Sequence, residues 1–490
     1  MEGADQALAI WQMQARKRPG DVEVLAGLAG CLLQRGEAQE ALQVLATAER
    51  RHPGHLGCTI LTGHALLGLD QLGSAIGAFY HALEMCPEQA TAHASVAAAL
   101  LKTGATREAA WHAREAFRLE PTPAHATTLS CVLIDQGLLE EALAATDCGI
   151  EIGPACGELW VNRSIALEGL GRAEAALAAA RTAFSIARTA VVEHHLASLL
   201  LSQGQLTAEA WSLYEARLRM LPARRWPEDA RRWRGEDVRG KTVLLHAEQG
   251  LGDTLQFVRY VPLVAALGAS VVLVVQPSLR RLLAGLPGVA DLLAVGEALP
   301  AFDMYAPLLS LPGLFGTTME SIPPAIPYAR QHVRQPGGRL RAGLVWAGSG
   351  AFIADRRRSL PAEVLWRLRE VGGVDWFSLQ MPRVGLPDGI ADLMEGVEDM
   401  ADTAALVASL DLVITVDTAV AHLAATMGKP VWLLSRFRGC WRWLSDRRDS
   451  PWYPSVRIYR QPAPGDWGTV MDTVRADLER LASGLRADAA

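Results

Sequence analysis

A single repeating interval runs through residues 1–220 of this chain. Prolines recur at this interval, each followed by an apolar helical pattern: Pro19, Pro53, Pro87, Pro121 and Pro154. Turn-forming residues keep the same spacing: Gly36, Asp70, Gly104, Gly137, Gly171 and Gly204. Five or six positions later comes an alanine, whose small side chain lets two helices cross closely: Ala41, Ala75, Ala109, Ala142, Ala176 and Ala210. These residues therefore predict one helical unit copied six times.

Helix, turn, helix and proline at a period of about 34 residues resemble the tetratricopeptide repeat. The resemblance covers residues 1–220 and implies an α-solenoid, a superhelix in which each repeat buries its apolar face against the next. Such an array presents a concave surface suited to a peptide or protein. The first domain is therefore predicted to be a binding scaffold.

Composition limits the classes of protein that remain. The chain has 490 residues, of which 50% are hydrophobic and 20% charged, as expected of a globular protein with two or three domains. The net charge of −6 gives no indication of a nucleic-acid-binding protein, because such proteins are usually basic. The longest apolar stretch, residues 261–276, contains Pro262 and Gly268 and is too short to cross a bilayer. We expect no membrane span, no secretion signal and a cytoplasmic location.

The seven cysteines lack the C-x-x-C spacing of metal or redox sites. Six of them lie in the repeats, at positions where a small apolar side chain would pack. We therefore expect buried free thiols rather than disulfides or a zinc site.

The pattern changes after Leu221. Residues 221–240 are rich in Arg, Trp, Pro and Gly and have no helical or strand period, so we predict a linker. Its arginines could meet a phosphate or an acidic partner; alternatively, Trp226 and Trp233 pack on the following domain. Beyond it, strands and helices alternate in two sets, residues 241–335 and 336–490, the second with a closing C-terminal helix. This order predicts an α/β fold of two Rossmann-like lobes with a cleft between them.

The first candidate site motif is HAEQGLGDT, residues 246–254, at the end of a predicted strand. Gly250 and Gly252 allow a tight turn and a close backbone approach to a ligand. Asp253 could accept a proton from an incoming hydroxyl, with His246 as the reserve base. The alternative is that Asp253 only caps the helix that follows.

Two further motifs are expected at the cleft edge of the second lobe. Arg356 and Arg358 precede a helix and suit a phosphate, although an exposed basic loop is the alternative. In VDTAVAH, a strand turns directly into a helix, so Asp417, Thr418 and Ala419 lie beside free backbone N–H groups that favour a diphosphate. His422 follows one turn later. The alternative makes Asp417 a cap and His422 an interhelical hydrogen bonder.

Together these motifs carry a family resemblance. QGLGDTLQFVRYVPLV and VDTAVAHLAATMGKPVWLL resemble the N-terminal and donor-binding motifs of heptosyltransferase-type glycosyltransferases. The resemblance covers roughly residues 241–474 and implies the two-lobed GT-B fold, with an acceptor lobe first and a nucleotide-sugar lobe second. It also implies an inverting mechanism without a metal or other cofactor, in agreement with the absence of a D-x-D motif. Asp253 is then the candidate base, and the donor phosphates lie near Gly250, Gly252, Arg356, Arg358, Asp417, Thr418, Ala419 and His422.

The fusion of repeats to such a domain resembles bacterial tetratricopeptide glycosyltransferases that modify flagellin, which implies a flagellin-like protein acceptor. Nine positions before the turns, at a place that faces the groove in this repeat class, four of the six side chains are polar: Ser95, Thr128, Asn162 and His195. We predict that this ladder hydrogen-bonds the backbone of the acceptor. The alternative is that these are small residues packed at helix crossings.

The sequence thus predicts a glycosyltransferase that moves a sugar from a nucleotide donor to a protein hydroxyl. Two other interpretations stay open. One is a lipopolysaccharide or other carbohydrate acceptor, with the repeats recruiting partner enzymes. The other is a scaffold whose transferase domain is inactive.

Overall fold

The computed structural model describes residues 2–221, 227, 230–326, 339–348 and 358–487. It forms two compact units, Met1–Arg188 and Thr189–Ala490. Among these described residues, the first unit contains α-helices as its regular elements, and the second contains two parallel sheets.

The first unit is a series of α-helices in which consecutive helices pack against each other. In chain order they are α1 Glu2–Lys17, α2 Val22–Gln34, α3 Ala38–Arg51, α4 Leu56–Gly68, α5 Leu72–Met85, α6 Ala90–Thr103, α7 Thr106–Leu119, α8 Pro123–Gln136, α9 Leu139–Ile152, α10 Gly157–Gly169 and α11 Ala173–Ile186. This arrangement confirms the predicted helical repeat array.

Two kinds of residue set the geometry of each repeat. The turn residues have positive φ values, from 57° at Asp70 to 87° at Gly104, and glycine reaches this region without steric cost. The alanines after the turns are completely buried at helix crossings: Ala41, Ala75, Ala109, Ala142, Ala176 and Ala210. The periodic residues therefore act as the sequence predicted.

The cysteines are free thiols, but their burial differs from the expectation. Cys58 is buried, whereas Cys148 is exposed on α9 and the others are partly buried. A repeat position that accepts a small side chain is therefore not always an interior one.

The second unit begins with the last repeat, α12 Ala190–Ser202 and α13 Ala208–Tyr214, followed by a 3-10 turn Glu215–Arg219. The repeat pattern alone predicts that this copy belongs with the preceding ones. It belongs to the second unit because Trp211 and Tyr214, 3% and 2% exposed, pack their rings against Trp441 at centroid distances of 5.8 and 5.5 Å. We call residues 190–219 the terminal repeat.

The first lobe holds a five-stranded parallel sheet in the order β1-β5-β2-β3-β4. Its strands are β1 Arg231–Arg232, β2 Thr242–His246, β3 Ser270–Val275, β4 Val289–Ala294 and β5 Met304–Pro307. Its helices are α14 Leu251–Phe257, α15 Val261–Ala266 and α16 Leu311–Leu314.

The described part of the predicted linker packs on this lobe. It supplies the edge strand β1, and Trp233 is 3% exposed, with its backbone N–H donating to the Tyr305 carbonyl at 2.8 Å. Trp226 lies outside the described residues. For Trp233, the packing alternative is confirmed.

The second lobe holds a six-stranded parallel sheet in the order β11-β10-β9-β6-β7-β8. Its strands are β6 Leu340–Val345, β7 Val374–Ser378, β8 Ile390–Asp392, β9 Leu412–Val416, β10 Val431–Ser435 and β11 Val456–Arg460. Its helices are α17 Ala362–Trp366, α18 Met400–Ala408, α19 Ala419–Thr426 and α20 Trp467–Ala487. In this doubly wound order the connections reverse direction between β6 and β9, which opens a crevice at their carboxyl ends.

The core of the second lobe combines the sheet with the last helix. Val470, Val474 and Leu478 of α20 join the buried strand residues in one hydrophobic cluster. Among the described residues, no helix is both long and apolar enough to cross a membrane.

Candidate active site

The loop after β2 places Asp253 at the start of α14. Gly250 is the N-cap of this helix, and its backbone N–H donates to Asp253 Oδ2 at 2.9 Å. The side chain therefore caps its own helix, which is the alternative stated above. Its role as a base stays a prediction.

The second oxygen of Asp253 meets an arginine that the sequence analysis did not single out. Arg442 Nη2 lies 2.5 Å from Asp253 Oδ1, and the two side chains are 8% and 18% exposed. The guanidinium also lies over the Trp441 ring, 4.6 Å from its centroid. Arg442 follows β10 in the second lobe, so this ion pair joins the two lobes at the carboxylate.

A glycine allows α14 to approach α19. A Cβ atom at Gly252 would lie 2.6 Å from His422 Cδ2, closer than atoms can pack. The two predicted motifs therefore meet face to face, and residue 252 must lack a side chain for His422 to keep its place.

His422 is 4% exposed and makes its contacts inside the protein. Its Nδ1 lies 3.0 Å from Tyr453 Oη, and its ring packs on Trp443 at a centroid distance of 4.9 Å. Burial lowers the pKa of His422 well below its usual value, with Arg442 acting in the same direction, so the ring is neutral near pH 7. The structure favours the packing interpretation over a charged contact with phosphate.

The crevice between β6 and β9 brings two predicted donor residues together. Arg358 Nη1 donates to the Asp417 carbonyl at 2.9 Å, directly where β9 ends. The Asp417 side chain is 24% exposed. Desolvation raises the pKa of its carboxyl, and the nearby charges of Arg442 and Arg358 oppose this shift. Arg356 lies outside the described residues.

The start of α19 has no side-chain cap. Thr418 is the N-cap residue, but its hydroxyl lies 3.1 Å from the Thr415 hydroxyl and makes no capping bond. Ala419 opens the helix without a polar side chain. The first turn thus offers backbone N–H groups and the positive end of the helix dipole to an anion.

His246 ends β2 and is 5% exposed. Its Nδ1 lies 3.1 Å from the Ala247 carbonyl oxygen, and its ring faces Tyr305. The structure therefore places the reserve base in the interior of the first lobe rather than at the surface of the crevice.

The loop after β10 supplies arginines that the sequence analysis missed. Arg436 and Arg438 follow the strand directly, and the charge of Arg436 acts on Asp417. Burial lowers the pKa of Arg438 to about 10, so it remains a cation at pH 7. The signal was the arginine-rich run SRFRGCWRW at the carboxyl end of a buried strand, where ligands of such sheets bind.

Two residues of the predicted acceptor ladder are buried within the repeats. Ser95 is 5% exposed, and its hydroxyl donates to the Thr91 carbonyl at 2.8 Å. Asn162 is 7% exposed, and its amide donates to Ser130 Oγ at 2.9 Å and to the Thr127 carbonyl at 3.3 Å. Both serve helix packing, which was the alternative.

The other two ladder residues are more accessible. Thr128 is half-buried, and its hydroxyl donates weakly to the Ala124 carbonyl at 3.3 Å. His195 lies in the terminal repeat and is half-buried; desolvation lowers its pKa to about 4, so it is neutral at pH 7. A contact of these two residues with an acceptor stays a prediction.

Asn162→Ala tests the packing role of this side chain. We expect the free energy of unfolding of the repeats to fall by about 1–3 kcal/mol, because Ser130 and the Thr127 carbonyl lose a buried donor. Thermal unfolding of the full chain followed by circular dichroism measures the change. Thr128→Ala, with its weaker bond, is the control and is expected within about 0.5 kcal/mol of wild type. Equal stability of the two variants would contradict the assignment.

The first unit also contains a cavity of about 640 Å³ between α5 and α7. Buried His93 and His112 line it, with their Nδ1 atoms 2.9 Å apart, next to Trp111, which is 56% exposed. The periodic sequence pattern did not predict this cavity, because these side chains do not recur at the equivalent positions of the other repeats.

The described residues contain no group of three or more His, Cys, Asp or Glu side chains arranged to hold a metal ion. Three arginines act on the Asp417 carboxyl in this crevice: Arg358, Arg436 and Arg442.

Comparison with known proteins agrees with this architecture. Residues 4–56 match the tetratricopeptide repeat model, and residues 395–434 match glycosyltransferase family 9 (heptosyltransferase). The second match includes α18, β9, α19 and most of β10. Protein FlbA of Caulobacter vibrioides is 27% identical over 406 residues, which cover 73% of this chain and 67% of FlbA.

Two solved structures resemble the repeats. A thermophilic tetratricopeptide protein of Thermus thermophilus is 26% identical with a TM-score of 0.32, covering 34% of this chain and 91% of its own. YrrB, described as a tetratricopeptide protein with an unusual peptide-binding site, is 18% identical with a TM-score of 0.29, covering 36% and 91%. The two matches and the similarity to FlbA support a glycosyltransferase in which tetratricopeptide repeats precede a region similar to glycosyltransferase family 9.

Proposed function

We propose that this glycosyltransferase moves a sugar from a nucleotide-sugar to a hydroxyl of a protein acceptor, by an inverting reaction that requires no metal. The observation that carries the proposal is the meeting of the two motifs through Gly252 and His422. This contact brings the start of α14, with Asp253, next to the start of α19, with Asp417 and Thr418.

The donor diphosphate is proposed to bind in the crevice at the carboxyl ends of β6 and β9. Arg358 is fixed there by its bond to the Asp417 carbonyl, and the uncapped first turn of α19 offers N–H groups to the same place. Arg436 and Arg438 follow the neighbouring strand β10. The diphosphate carries most of the donor's charge, and these cations balance it.

Asp253 is the proposed general base. An ionised carboxylate has lone pairs beyond those used by Gly250 and Arg442, so it can still accept the proton of an acceptor hydroxyl. The hydroxyl oxygen then forms a bond to the anomeric carbon while the bond to the diphosphate oxygen breaks. A single displacement of this kind inverts the anomeric centre, and Arg358 stabilises the charge that grows on the leaving group.

Metal independence is proposed from the same charges. In many phosphate-dependent enzymes a divalent cation neutralises the charge of the leaving group. Here we propose that the arginines near Asp417 neutralise the charge of the diphosphate instead. Adding a chelator is therefore expected to leave turnover unchanged.

The acceptor is proposed to be a flagellin-like protein held by the repeats. Tetratricopeptide arrays bind peptides and proteins on their concave surface. Thr128 and His195 are the ladder residues that remain accessible for this contact. If the acceptor is a protein held by these residues, changing both of them to alanine should raise the acceptor KM. If the acceptor is a carbohydrate, the same change should leave the acceptor KM unchanged.

Arg358→Ala tests the donor site. We expect the Kd for the nucleoside diphosphate to rise about tenfold or more, since a charge-assisted bond contributes about 1.5–3 kcal/mol. Arg358→Lys is expected to restore only part of the affinity, because an ammonium lacks the planar fork of a guanidinium. Calorimetric titration with UDP, GDP and ADP measures the effect.

The matched control is Arg475→Ala, which removes an arginine that is 43% exposed on α20 and pairs with Glu370 at the surface. Its Kd is expected to equal that of the wild type. An unchanged Kd for Arg358→Ala would remove this residue from the donor site. Failure of the wild type to bind any of the three nucleotides would favour the inactive scaffold.

A further inference from the structure

The terminal repeat places a buried arginine in the first lobe. Arg217 is 2% exposed, and its guanidinium is surrounded by acceptors. Nη2 lies 2.8 Å from Glu248 Oε1 and 2.9 Å from Ser310 Oγ, while Nη1 lies 2.7 Å from Glu215 Oε1. The arginine thus links the repeat to two separate segments of the lobe.

Those two segments follow neighbouring strands. Glu248 lies in the loop after β2, and Ser310 ends the 3-10 turn after β5. The connections of the first sheet reverse direction between β2 and β5, so Arg217 lies at the crevice of this lobe. In an isolated lobe this place would be open to solvent. Here a side chain of the repeat fills it.

The loop held by Arg217 continues directly into the candidate base. The side chain of Glu248 is 4% exposed, and this residue precedes Gly250 by two positions. The N–H of Gly250 donates to Asp253 Oδ2. A shift of the loop would therefore move the donor that orients one oxygen of Asp253.

The terminal repeat also supports the partner of the other oxygen. The rings of Trp211 and Tyr214 pack on Trp441, and Arg442 lies over that ring. In addition, the backbone N–H of Ser445 donates to the Ser202 carbonyl at 2.8 Å. The repeat thus contacts the elements that hold Asp253 from both lobes.

We propose that the terminal repeat is part of the catalytic centre, and that Arg217 is a positioning residue that fixes the loop 247–250 and through it Asp253. The proposal rests on Asp253 being the base of the proposed transfer. Arg217 itself touches no substrate. It acts through Glu248, whose carboxylate has no other cation among the contacts that the described residues show.

The test compares full-length Arg217→Met, Glu248→Gln and the double variant with wild type. The matched control is Arg219→Met, two positions away, which removes an arginine that is 54% exposed and pairs with Glu193. Hydrolysis of UDP-, GDP- and ADP-linked sugars gives kcat and KM, using the donor that the wild type consumes. Hydrogen–deuterium exchange of residues 247–257 reports the loop without any need for turnover.

For Arg217→Met we expect kcat to fall roughly 100-fold at an unchanged donor KM, because a displacement of about 1 Å has an effect of that size. Exchange at 247–257 is expected to become faster, while Arg219→Met stays at wild-type values in both measurements. The double variant removes both buried charges and is expected to fold more stably than Arg217→Met, yet to keep the low kcat. If Arg217→Met does not fold, Arg217→Lys replaces it in the comparison, because lysine keeps the charge. The kcat of Arg217→Lys is expected to lie between the wild-type value and the value expected for Arg217→Met.

Wild-type kcat in Arg217→Met, or an equal loss in Arg219→Met, would overturn the proposal. Recovery of kcat in the double variant would also overturn it, since the pair would then act only on stability. If the wild type consumes no donor, the proposed function fails, and unchanged exchange at 247–257 in Arg217→Met separately rejects the positioning role.

Discussion

Asp253→Asn is expected to lower kcat for transfer by a factor of about 10² to 10⁴, the usual effect of removing a general base. The amide keeps the size of the side chain and an oxygen for the Gly250 N–H, but it cannot take a proton. Stability is expected to fall by about 1–3 kcal/mol, because Arg442 loses a charged partner. Nucleotide affinity should stay near the wild-type value.

The control for this variant is Asp399→Asn. Asp399 also caps a helix, accepting from the N–H groups of Ala401 and Asp402, and it pairs with Arg281 at 2.8 Å. Its side chain is 18% exposed, the same fraction as that of Asp253. The control therefore loses a comparable cap and ion pair away from the proposed base, and it should retain turnover.

Thermal midpoint and kcat are measured on the same preparations, at a temperature where both variants are folded. Near wild-type turnover in folded Asp253→Asn would show that Asp253 caps its helix and is not the general base. A similar loss of kcat in both variants would also contradict the base assignment, since the effect would then follow stability.

Arg442→Met is expected to be the most destabilising of these substitutions, by about 3–5 kcal/mol, because it leaves the Asp253 carboxylate beside an apolar side chain in a largely buried place. The stacking of the guanidinium on Trp441 is lost as well. Arg442→Lys should recover part of the stability through its charge, but not the planar contact with the ring.

Differential scanning calorimetry separates the two units in this experiment. The transition of the second unit should shift by about 10 °C, given that about 1 kcal/mol corresponds to roughly 2–4 °C in a large domain. The transition of the first unit should not move, because Arg442 and its partners lie in the second. A shift of less than about 2 °C, the effect of well under 1 kcal/mol, would show that the ion pair contributes little.

The repeats were largely predictable because their determinants are local. A turn residue with positive φ and an alanine five or six positions later set each helix pair without help from distant segments. The boundary at residue 188 was not predictable. It depends on Trp211 and Tyr214 meeting Trp441, which follows the whole first lobe and most of the second in sequence.

In the α/β lobes, several buried strands were recognisable, whereas the edge strands were not. β2 and β9 appear where their apolar runs predicted them. β4 was not predicted because most of its residues are exposed or half-buried. β1 and β8 were not predicted because they are only two and three residues long. Such strands are defined by the neighbour to which they hydrogen-bond rather than by composition.

In the candidate site, too, some residues were recognisable from the sequence and others were not. Asp253 and Asp417 were identified because each follows the carboxyl end of a parallel strand, where ligands of such sheets bind. Arg442 was missed because its partner lies in the other lobe and no spacing links the two. The burial of the His422 ring against Gly252 could not be read from the sequence, because it depends on two motifs that lie far apart in the chain.

The division after Arg188 also says where this architecture can vary. In a solenoid each repeat depends only on its neighbours, so copies can be added, lost or replaced without remodelling distant ones. That freedom applies to the first unit and stops at α12, because the residues beyond are bound to both lobes. Natural relatives and engineered chimeras that exchange recognition modules should therefore keep residues 189–220 with their transferase and join foreign arrays upstream of them.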